Sequence, residues 1–510
     1  MPRLVNPKVV SFFILSLLIT FPLVSSAGDT GDIEIINVYS IGDKAAFLVM
    51  NTSNNHLMEL VYENGRFTRV RPLNFSLEKY SPVHWNGEYW LLQKGLGPVV
   101  ELYIYNSTLK HVKTFVNGTI CAYNDLRIWW DGEEYLLTFL KSSPNDNPAT
   151  GECYYLTDMY LLPNDKLIPL NVSGTMTWIP PLKEWFATGV GWSEGDKMEK
   201  IGLINETDGV MFLNVTLQGL YGSEIAYNGS MVWLVLVWAE GNLTHIEVYW
   251  LGRNVARRVY HEDANGSIGI PIATWGNWPQ ELAWNGNPIL IQSTGILNDT
   301  VLIFNRTGFL RVGTFSNCSE LTPVSVDGRV FILCMEAGGK RRVTIMKLFA
   351  IKGSKKELVR TFMTSGYPYR YGVRDFLGFP AFKERNDSSL ILYTHDSIVL
   401  FNSTHTMDLL TGERTPIPAG LRGRNYNVAY CSGGWLLFTK SEVYTLKDGK
   451  FAELKLTISF AGEATNGTTS SPVNTQSGEN TIPLSKRALA LIITGVVAVL
   501  LLLALHGRGR

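Results

Sequence analysis

The hydrophobic pattern of the chain repeats a short rhythm in which a turn signal precedes a run of apolar side chains. The first copy reads HWNGEYWLL at 84–92. The other copies are WWDGEEYLL (129–137), AYNGSMVWL (226–234), AWNGNPILI (283–291), SVDGRVFIL (325–333) and AYCSGGWLL (429–437). Because Asn-Gly and Asp-Gly supply the positive backbone dihedrals of a two-residue turn, this rhythm predicts a series of β-hairpins.

Each predicted hairpin is followed by a second pair of short strands. In the segment 79–118 the four strands read YSPVHW, EYWLLQK, VVELYIYN and LKHVKTF. The same order fits the segments 33–74, 121–171, 175–217, 221–262, 279–316, 319–363, 376–416 and 424–458. A repeat of about 45 residues with four strands predicts an all-β fold, a single large β-propeller of eight or nine four-stranded blades. The units 175–217 and 376–416 fit this order least well.

The two ends of the chain depart from the repeat. Residues 1–27 combine two basic residues, an apolar run and a small-residue ending, the pattern of a signal peptide. Residues 461–484 are rich in Ser, Thr, Asn and Gly, which predicts a flexible stalk. Residues 485–510 contain the uncharged stretch 488–505, which predicts one transmembrane helix and a short basic cytoplasmic tail. We therefore expect a single-pass protein of the cell membrane, with 28–460 as an extracellular propeller.

Asn-X-Ser/Thr sequons are the strongest compositional signal in the chain. There are 16 of them among 34 asparagines, against about four expected by chance. The candidate glycosylation sites are Asn51, Asn74, Asn106, Asn117, Asn171, Asn205, Asn214, Asn228, Asn242, Asn265, Asn298, Asn305, Asn317, Asn386, Asn402 and Asn466. The alternative is that Asn, Ser and Thr gather in turns without carrying glycans. Lys plus Arg equals Asp plus Glu at 45 each, so net charge gives no signal for a nucleic-acid partner.

The chain of 510 residues has five cysteines, which are too few for disulfides to be its main source of stability. Cys121 and Cys153 fall in one predicted unit, and Cys318 and Cys334 bracket one predicted hairpin. The positions predict the disulfides 121–153 and 318–334. Cys431 is left over, and we expect it to be a buried thiol.

The order of signal peptide, four-stranded repeats, stalk and terminal span resembles the membrane-anchored surface propellers of archaea, most of which are uncharacterised. The resemblance rests on this order of segments and not on a repeat fingerprint. The sequence has one Trp-Asp dipeptide, Trp130-Asp131, and no regular double glycine, so neither the WD-repeat nor the kelch signature applies. The resemblance implies a location at the cell surface without specifying a ligand.

The sequence carries no catalytic, metal or cofactor signature. GWSEG (191–195) matches the nucleophile-elbow pattern around Ser193, but the alternating residues after it predict a strand where that motif requires a helix. The eight histidines show no spacing typical of metal ligands. We therefore expect no cofactor.

Two predicted crossings between blades, 268–280 and 366–376, are long and aromatic. Long loops on a rigid scaffold often carry function, and Tyr, Trp and Arg are common anchors for ligands. The candidate ligand-binding residues are Trp275, Trp278, Tyr367, Tyr369, Arg370, Tyr371 and Arg374. The alternative is that these side chains plug the channel or cover a blade edge.

These observations predict a non-enzymatic binding or envelope-structural module whose partner is a cell-envelope glycan, a peptide or a surface protein. Because the sequons fall on both faces of the predicted ring, a recessed pocket or a spacer role fits better than a large flat partner. The alternative function is an extracellular hydrolase or lyase with carboxylates on the channel face. Glu281 and Asp375, at the ends of the two aromatic crossings, are the candidates for such carboxylates.

Overall fold

A computed structural model describes most of the predicted propeller segment 28–460. The described residues are 33–95, 99–116, 126–130, 135–142, 155–162, 167–170, 175–190, 198–205, 209–218, 221–253, 255–265, 268–269, 283–295, 297–336, 343–373, 382–383, 389–431 and 433–456. The predicted signal peptide, stalk and transmembrane segment lie outside these ranges. Within them, no helix has the length and apolar character needed to cross a membrane.

The regular structure of the described ranges consists of β-strands. The strands of the first half of the chain are β1 (Ile33–Ile41), β2 (Lys44–Asn51), β3 (Leu57–Glu63), β4 (Arg66–Leu73), β5 (Ser81–Trp85), β6 (Trp90–Lys94), β7 (Val99–Asn106), β8 (Thr108–Val116), β9 (Leu126–Trp130), β10 (Tyr135–Ser142), β11 (Tyr155–Leu162), β12 (Ile168–Pro169), β13 (Thr175–Ile179), β14 (Glu184–Val190), β15 (Met198–Asn205), β16 (Gly209–Gln218), β17 (Tyr221–Asn228), β18 (Met231–Glu240), β19 (Leu243–Gly252) and β20 (Val255–Asn265).

The second half of the chain contains nineteen further strands among the described residues. They are β21 (Ile268–Gly269), β22 (Ala283–Asn285), β23 (Ile289–Gly295), β24 (Asn298–Phe304), β25 (Phe309–Ser316), β26 (Cys318–Val326), β27 (Arg329–Glu336), β28 (Val343–Lys352), β29 (Lys355–Ser365), β30 (Tyr369–Gly372), β31 (Phe382–Lys383), β32 (Leu390–Tyr393), β33 (Ile398–Phe401), β34 (His405–Asp408), β35 (Arg414–Pro416), β36 (Asn427–Cys431), β37 (Gly434–Phe438), β38 (Val443–Lys447) and β39 (Lys450–Glu453).

In the described ranges these strands form nine sheets, numbered here along the chain. Sheets 1 to 4 are β1–β4, β5–β8, β9–β12 and β13–β16. Sheet 5 is β17–β20 with β22, sheet 6 is β21 with β23–β25, and sheet 7 is β26–β29. Sheet 8 is β30 with β32–β35, and sheet 9 is β31 with β36–β39. Each sheet therefore holds four antiparallel strands, with one added short strand in sheets 5, 8 and 9.

The core lies between consecutive sheets, because inner strands such as β2 and β3 bury side chains on both faces, whereas outer strands such as β4 and β8 are largely exposed. Tyr39 and Leu48 of sheet 1, for example, pack with Trp85 and Trp90 of sheet 2. Equivalent buried clusters join sheets 2 and 3, 4 and 5, 5 and 6, 6 and 7, 7 and 8, and 8 and 9. This packing of four-stranded units side by side is that of a β-propeller.

The last sheet packs on the first. The backbone N–H of Ile35 in β1 donates to the carbonyl of Lys440 at 2.6 Å. The rings of Phe47 in sheet 1 and Phe438 in sheet 9 lie 6.4 Å apart. The all-β propeller of eight or nine four-stranded blades that the sequence predicts is confirmed.

Turn chemistry explains the hairpins. Asp327 and Gly328 connect β26 to β27 with φ angles of 49° and 68°, the pair of positive values that a type I′ turn requires. In the 84–92 copy the loop is longer, spanning 86–89, and the backbone N–H of Tyr89 donates to Asn86 Oδ1 at 2.9 Å. Asn-Gly and Asp-Gly therefore close these hairpins in two related ways.

The AWNGNPILI copy does not form the predicted hairpin, so the prediction for 283–291 is wrong. β22 pairs in parallel with β17 of the preceding sheet, and β23 pairs with β21. Pro288 stands where Tyr89 stands in the first copy, and a proline has no N–H to donate to the turn asparagine. The hairpin turn at 285–288 therefore lacks this hydrogen bond, and residues 283–285 pair with β17 instead.

The predicted unit 376–416 has the wrong first strand. Sheet 8 begins with β30, which runs parallel to β32. β31 instead pairs antiparallel with β36 of sheet 9. An inserted fifth strand therefore lies beside the first regular strand in three sheets. These pairs are β22 with β17 in sheet 5, β30 with β32 in sheet 8, and β31 with β36 in sheet 9. The other irregular unit, 175–217, forms the ordinary four-stranded sheet 4.

One predicted cysteine pair falls within the described residues. Cys318 and Cys334 form a disulfide with an S–S distance of 2.03 Å and a Cα–Cα distance of 5.5 Å. Cys431 is buried and is not part of a disulfide, as predicted. Cys121 and Cys153 lie outside the described residues.

Candidate binding site at the junction of sheets 7 and 8

The segment 366–373 lies between sheets 7 and 8 and carries four of the predicted ligand-binding residues. β30 pairs with β32 from Tyr369 opposite Leu390 to Gly372 opposite Tyr393. A Cβ atom on Gly372 would lie 2.9 Å from the ring of Tyr393, which is closer than real side-chain contacts. Glycine at this position therefore lets the inserted strand lie close to sheet 8.

Arg370 fixes this segment to sheet 7. Its side chain is buried, with 5% of the residue exposed. The Nη1 atom donates to Thr322 Oγ1 at 2.8 Å, and Nη2 donates to the Glu320 carboxylate and to Tyr367 Oη, the latter at 3.0 Å. Both Thr322 and Glu320 belong to β26, so one guanidinium spans the junction. Charge-assisted bonds of this kind are stronger than neutral ones.

Tyr367 is the second anchor of the segment. Its hydroxyl donates to Glu320 Oε2, and its ring lies under the guanidinium of Arg370, 5.5 Å from Cζ to the ring centroid. Burial raises the pKa of the Tyr367 phenol, and the bond to Glu320 raises it further. The phenol is therefore a stable hydrogen-bond donor, while 47% of the residue remains exposed.

Tyr369 and Tyr371 form a pair of parallel rings, which we call the tyrosine pair. Their centroids lie 6.5 Å apart and their planes differ by 4°. Alternate residues of a strand project from the same face, which explains why these two rings stack. Tyr369 is 40% exposed and Tyr371 is half-buried. The tyrosine pair thus places two parallel rings, one of them exposed, on a strand that Arg370 holds in place.

The structure brings together only part of the predicted set. Tyr367, Tyr369, Arg370 and Tyr371 lie on one segment, with Arg370 directed into the protein. The predicted partners Trp275, Trp278 and Arg374 lie outside the described residues, as do the carboxylate candidates Glu281 and Asp375. The backbone of β30 covers a blade edge, which was the alternative interpretation, whereas Tyr367 and Tyr369 of the segment remain exposed.

The candidate glycosylation sites differ in exposure. Eight are exposed: Asn74, Asn106, Asn228, Asn242, Asn265, Asn298, Asn305 and Asn317. Asn402 is half-buried and Asn51 is only 4% exposed. The side chains of Asn117, Asn171, Asn205, Asn214, Asn386 and Asn466 lie outside the described part of the structure. At Asn305 and Asn402 the side-chain oxygen accepts the hydroxyl of the sequon threonine, at 3.0 and 2.9 Å, so these sequons also close turns.

A cavity of about 260 Å³ between sheets 8 and 9 is lined by several carboxylates. Its lining includes Asp396, Asp408, Glu413 and Asp448. Asp408 uses Oδ1 to accept the backbone N–H groups of residues 410 and 411, at 2.8 and 2.9 Å. Asp396 accepts the hydroxyl of Tyr430 at 3.4 Å. Two of the four acids therefore stabilise the surrounding turns.

Sheet 5 carries a group of side chains that the sequence analysis does not identify. The register of β19 and β20 places His245 opposite Asp263, and Glu247 opposite His261. The signal available in the sequence is the pair of short patterns His-X-Glu (245–247) and His-X-Asp (261–263). Only the strand register shows that these two patterns face each other.

Comparisons with known proteins leave the family open. No family model matches the chain, and no curated protein matches it. Among solved structures, the chain is similar to the β-propeller domain of the Trilobed protease from Pyrococcus furiosus, at 10% identity and a TM-score of 0.32. That match covers 74% of this chain and 98% of the other.

Two further solved structures are similar at the same level. An uncharacterized protein from Listeria monocytogenes EGD-e matches at 11% identity and a TM-score of 0.31, covering 75% of this chain and 94% of that one. An oligogalacturonate lyase in complex with manganese matches at 7% identity and a TM-score of 0.32, covering 65% and 95%. Similarity at this level carries no argument about function. The nine sheets and their packing, on their own evidence, make this protein a β-propeller.

Proposed function

We propose that the protein is a glycosylated cell-surface propeller, anchored in the membrane as the archaeal surface propellers are, and that it acts as a binding or envelope-structural module. The excess of sequons and the eight exposed candidate asparagines support the glycosylated exterior. The apolar stretches in 1–27 and 488–505 support export and anchoring. The propeller would then stand outside the cell on its stalk.

The observation that carries the binding role is the tyrosine pair. Tyr369 and Tyr371 are stacked, and the buried Arg370 fixes their strand to sheet 7. A surface that is ordered before a ligand arrives loses little conformational entropy on binding. Aromatic rings of this kind stack on the apolar faces of sugar rings or on peptide side chains. We infer that the ligand is an envelope glycan or peptide.

The expected affinity per site is modest. An aromatic contact contributes about 1 kcal/mol beyond the area that it buries. A few such contacts give weak binding, which becomes strong only when many copies engage a polymer at once. An envelope glycan or a repetitive surface protein supplies such a polymer. The role suits an anchored protein that is present in many copies.

The test is the binding of the labelled full chain to isolated cell envelopes. The variant Tyr369→Ala should bind more weakly while its thermal unfolding temperature stays near that of the unchanged protein. Trp250→Ala is the matched control, because Trp250 is similarly exposed (36%) but lies on β19 of sheet 5. Equal binding by Tyr369→Ala and the unchanged protein would refute the tyrosine pair as the site.

The location is tested separately. Protease added to intact cells should remove the propeller, and glycosidase treatment of the full chain should raise its electrophoretic mobility. A protein that survives protease until the cells are broken would contradict the surface location without bearing on the ligand.

A further inference from the structure

Two histidines and two acids alternate on one face of the strand pair β19 and β20. His245 and Glu247 are two residues apart on β19, and His261 and Asp263 are two residues apart on β20. Since alternate residues project from one face and the register pairs His245 with Asp263 and Glu247 with His261, all four side chains share a face. Each histidine has an acid opposite it and another beside it.

One nitrogen of each imidazole lies close to the same carboxylate oxygen, and that of His245 is hydrogen-bonded to it. Asp263 Oδ1 lies 2.7 Å from His245 Nδ1 and 3.3 Å from His261 Nε2. The two rings therefore converge on one point, which the Asp263 oxygen occupies in this structure. Convergence of two imidazole nitrogens and a carboxylate is the ligand chemistry of zinc-type sites.

The other nitrogen of each imidazole lies near a second carboxylate without a hydrogen bond to it, and His245 Nε2 is a buried atom with no hydrogen-bond partner. His245 Nε2 lies 3.5 Å from Glu240 Oε2, and His261 Nδ1 lies 3.5 Å from Glu247 Oε1. A carboxylate behind a metal-binding imidazole orients the ring and fixes which nitrogen faces the metal. Arg258 Nη1 in turn donates to Glu247 Oε1 at 2.6 Å, so this outer carboxylate is itself held.

We propose that His245 Nδ1, His261 Nε2 and Asp263 bind a divalent transition-metal ion of the Zn²⁺ type. The ion takes the place of the Asp263 oxygen between the two nitrogens, and the carboxylate moves aside to become the third ligand. Water completes the coordination, as in zinc sites with three protein ligands. Among the described residues, no group of three or more His, Cys, Asp or Glu side chains is arranged to hold a metal ion as it stands, so the proposal requires this movement of Asp263.

Solvent reaches the site. The side chains of His261 and Asp263 are 43% and 49% exposed, and that of His245 is 15% exposed. The ring of Trp238 stacks on that of His245, with centroids 5.2 Å apart and an interplanar angle of 20°. This contact limits the rotation of the His245 imidazole. One ligand is thus held rigidly while the other two can move to accept the ion. The site lies in sheet 5 and is independent of the proposed tyrosine pair.

The experiment is a calorimetric titration of Zn²⁺ into the full chain after removal of metals with a chelator. The unchanged protein should show a binding event that weakens by about 100-fold or more in His245→Ala, His261→Ala and Asp263→Asn. Glu240→Gln should weaken it by about 10-fold, at the low end for an outer carboxylate, since Glu240 is 82% exposed. His56→Ala, which changes an exposed histidine in the loop between β2 and β3, should bind as the unchanged protein does.

Two further readouts make the result decisive. Co²⁺ should give a visible absorption band with the unchanged protein that disappears in His245→Ala. Thermal unfolding in the presence of chelator should be similar for all variants, which shows that they fold without the metal. Absence of Zn²⁺ binding to the unchanged protein, or equal binding by a His245→Ala, His261→Ala double variant that unfolds normally, would overturn the proposal.

Discussion

Arg370 Nη1 donates a hydrogen bond to Thr322 Oγ1 at 2.8 Å, across the junction of sheets 7 and 8. The second terminal nitrogen of Arg370 pairs with the Glu320 carboxylate, so both partners lie on β26. An arginine in this position fixes the inserted strand and is not available to a ligand. If the proposed binding role holds, the contacts on this segment come from the exposed tyrosines, and Arg370 supports their strand.

Arg370→Ala should lower the free energy of unfolding by about 3–5 kcal/mol, because it leaves the Glu320 carboxylate without its charged partner in a largely buried place, with only the Tyr367 hydroxyl donating to it. Denaturant unfolding measures the loss. The double variant Arg370→Ala, Glu320→Ala should recover part of it, since no unpaired charge then remains. A loss below about 1 kcal/mol in the single variant would show that this ion pair does not hold the segment.

Glu224 should make stability depend on pH. Burial raises the pKa of its carboxyl well above the ordinary value, and its Oε2 atom has no hydrogen-bond partner. Because the folded pKa is the higher one, the folded state keeps the proton to higher pH than the unfolded state does. The contribution is fully present below the unfolded pKa and is lost as pH rises through the folded pKa.

Glu224→Gln should therefore be more stable than the unchanged protein in neutral and basic solution, with a difference that shrinks toward acid. Unfolding temperatures measured between about pH 4 and about pH 8 give the two profiles. Parallel profiles would mean that the carboxyl ionises in the folded state without penalty.

Removing the disulfide of sheet 7 should reduce stability by about 3 kcal/mol, as expected for a short closed loop. Cys318 and Cys334 are 16 residues apart in sequence. The variant Cys318→Ala, Cys334→Ala should unfold at lower denaturant, and reducing agent should bring the unchanged protein to the same midpoint. Cys431→Ala is the control, since its thiol is not part of a disulfide and the response to reducing agent should persist.

Glycan occupancy should follow exposure. Asn228 and Asn305 are exposed, and we expect glycopeptide mass spectrometry of the cell-derived protein to find them modified. Asn51 is 4% exposed, and its Oδ1 accepts the backbone N–H of Ser53 at 2.8 Å, so we expect an unmodified peptide there. A glycan on Asn51, or bare Asn228 and Asn305, would contradict this pattern.

The repeat was predictable from sequence because it depends on local chemistry. A turn signal followed by alternating apolar residues specifies a hairpin, as Asp327 and Gly328 show with their positive φ angles. The failure at 283–291 is also chemical, since Pro288 removes one turn hydrogen bond. Its consequence, the parallel pairing of β22 with β17, depends on a contact with another sheet and could not be found from the repeat alone.

The candidate sites were less accessible to sequence reasoning. Tyr367 and Tyr369 could be selected as aromatic residues in a long crossing, but the burial of Arg370 depends on Glu320 and Thr322, which lie about 50 residues earlier. The facing of His245 and Asp263 likewise depends on strand register. Composition reveals which chemistry is present, and long-range pairing decides which groups meet.

Photo-crosslinking from the tyrosine pair tests the account most directly. A photoreactive phenylalanine analogue replaces Tyr369 in one strain and Trp250 in another, and intact cells are illuminated. The account predicts adducts with envelope glycan or peptide from position 369 and few from position 250. Equal adduct formation from both positions, or adducts with cytoplasmic proteins alone, would contradict a surface propeller that binds its ligand at the junction of sheets 7 and 8.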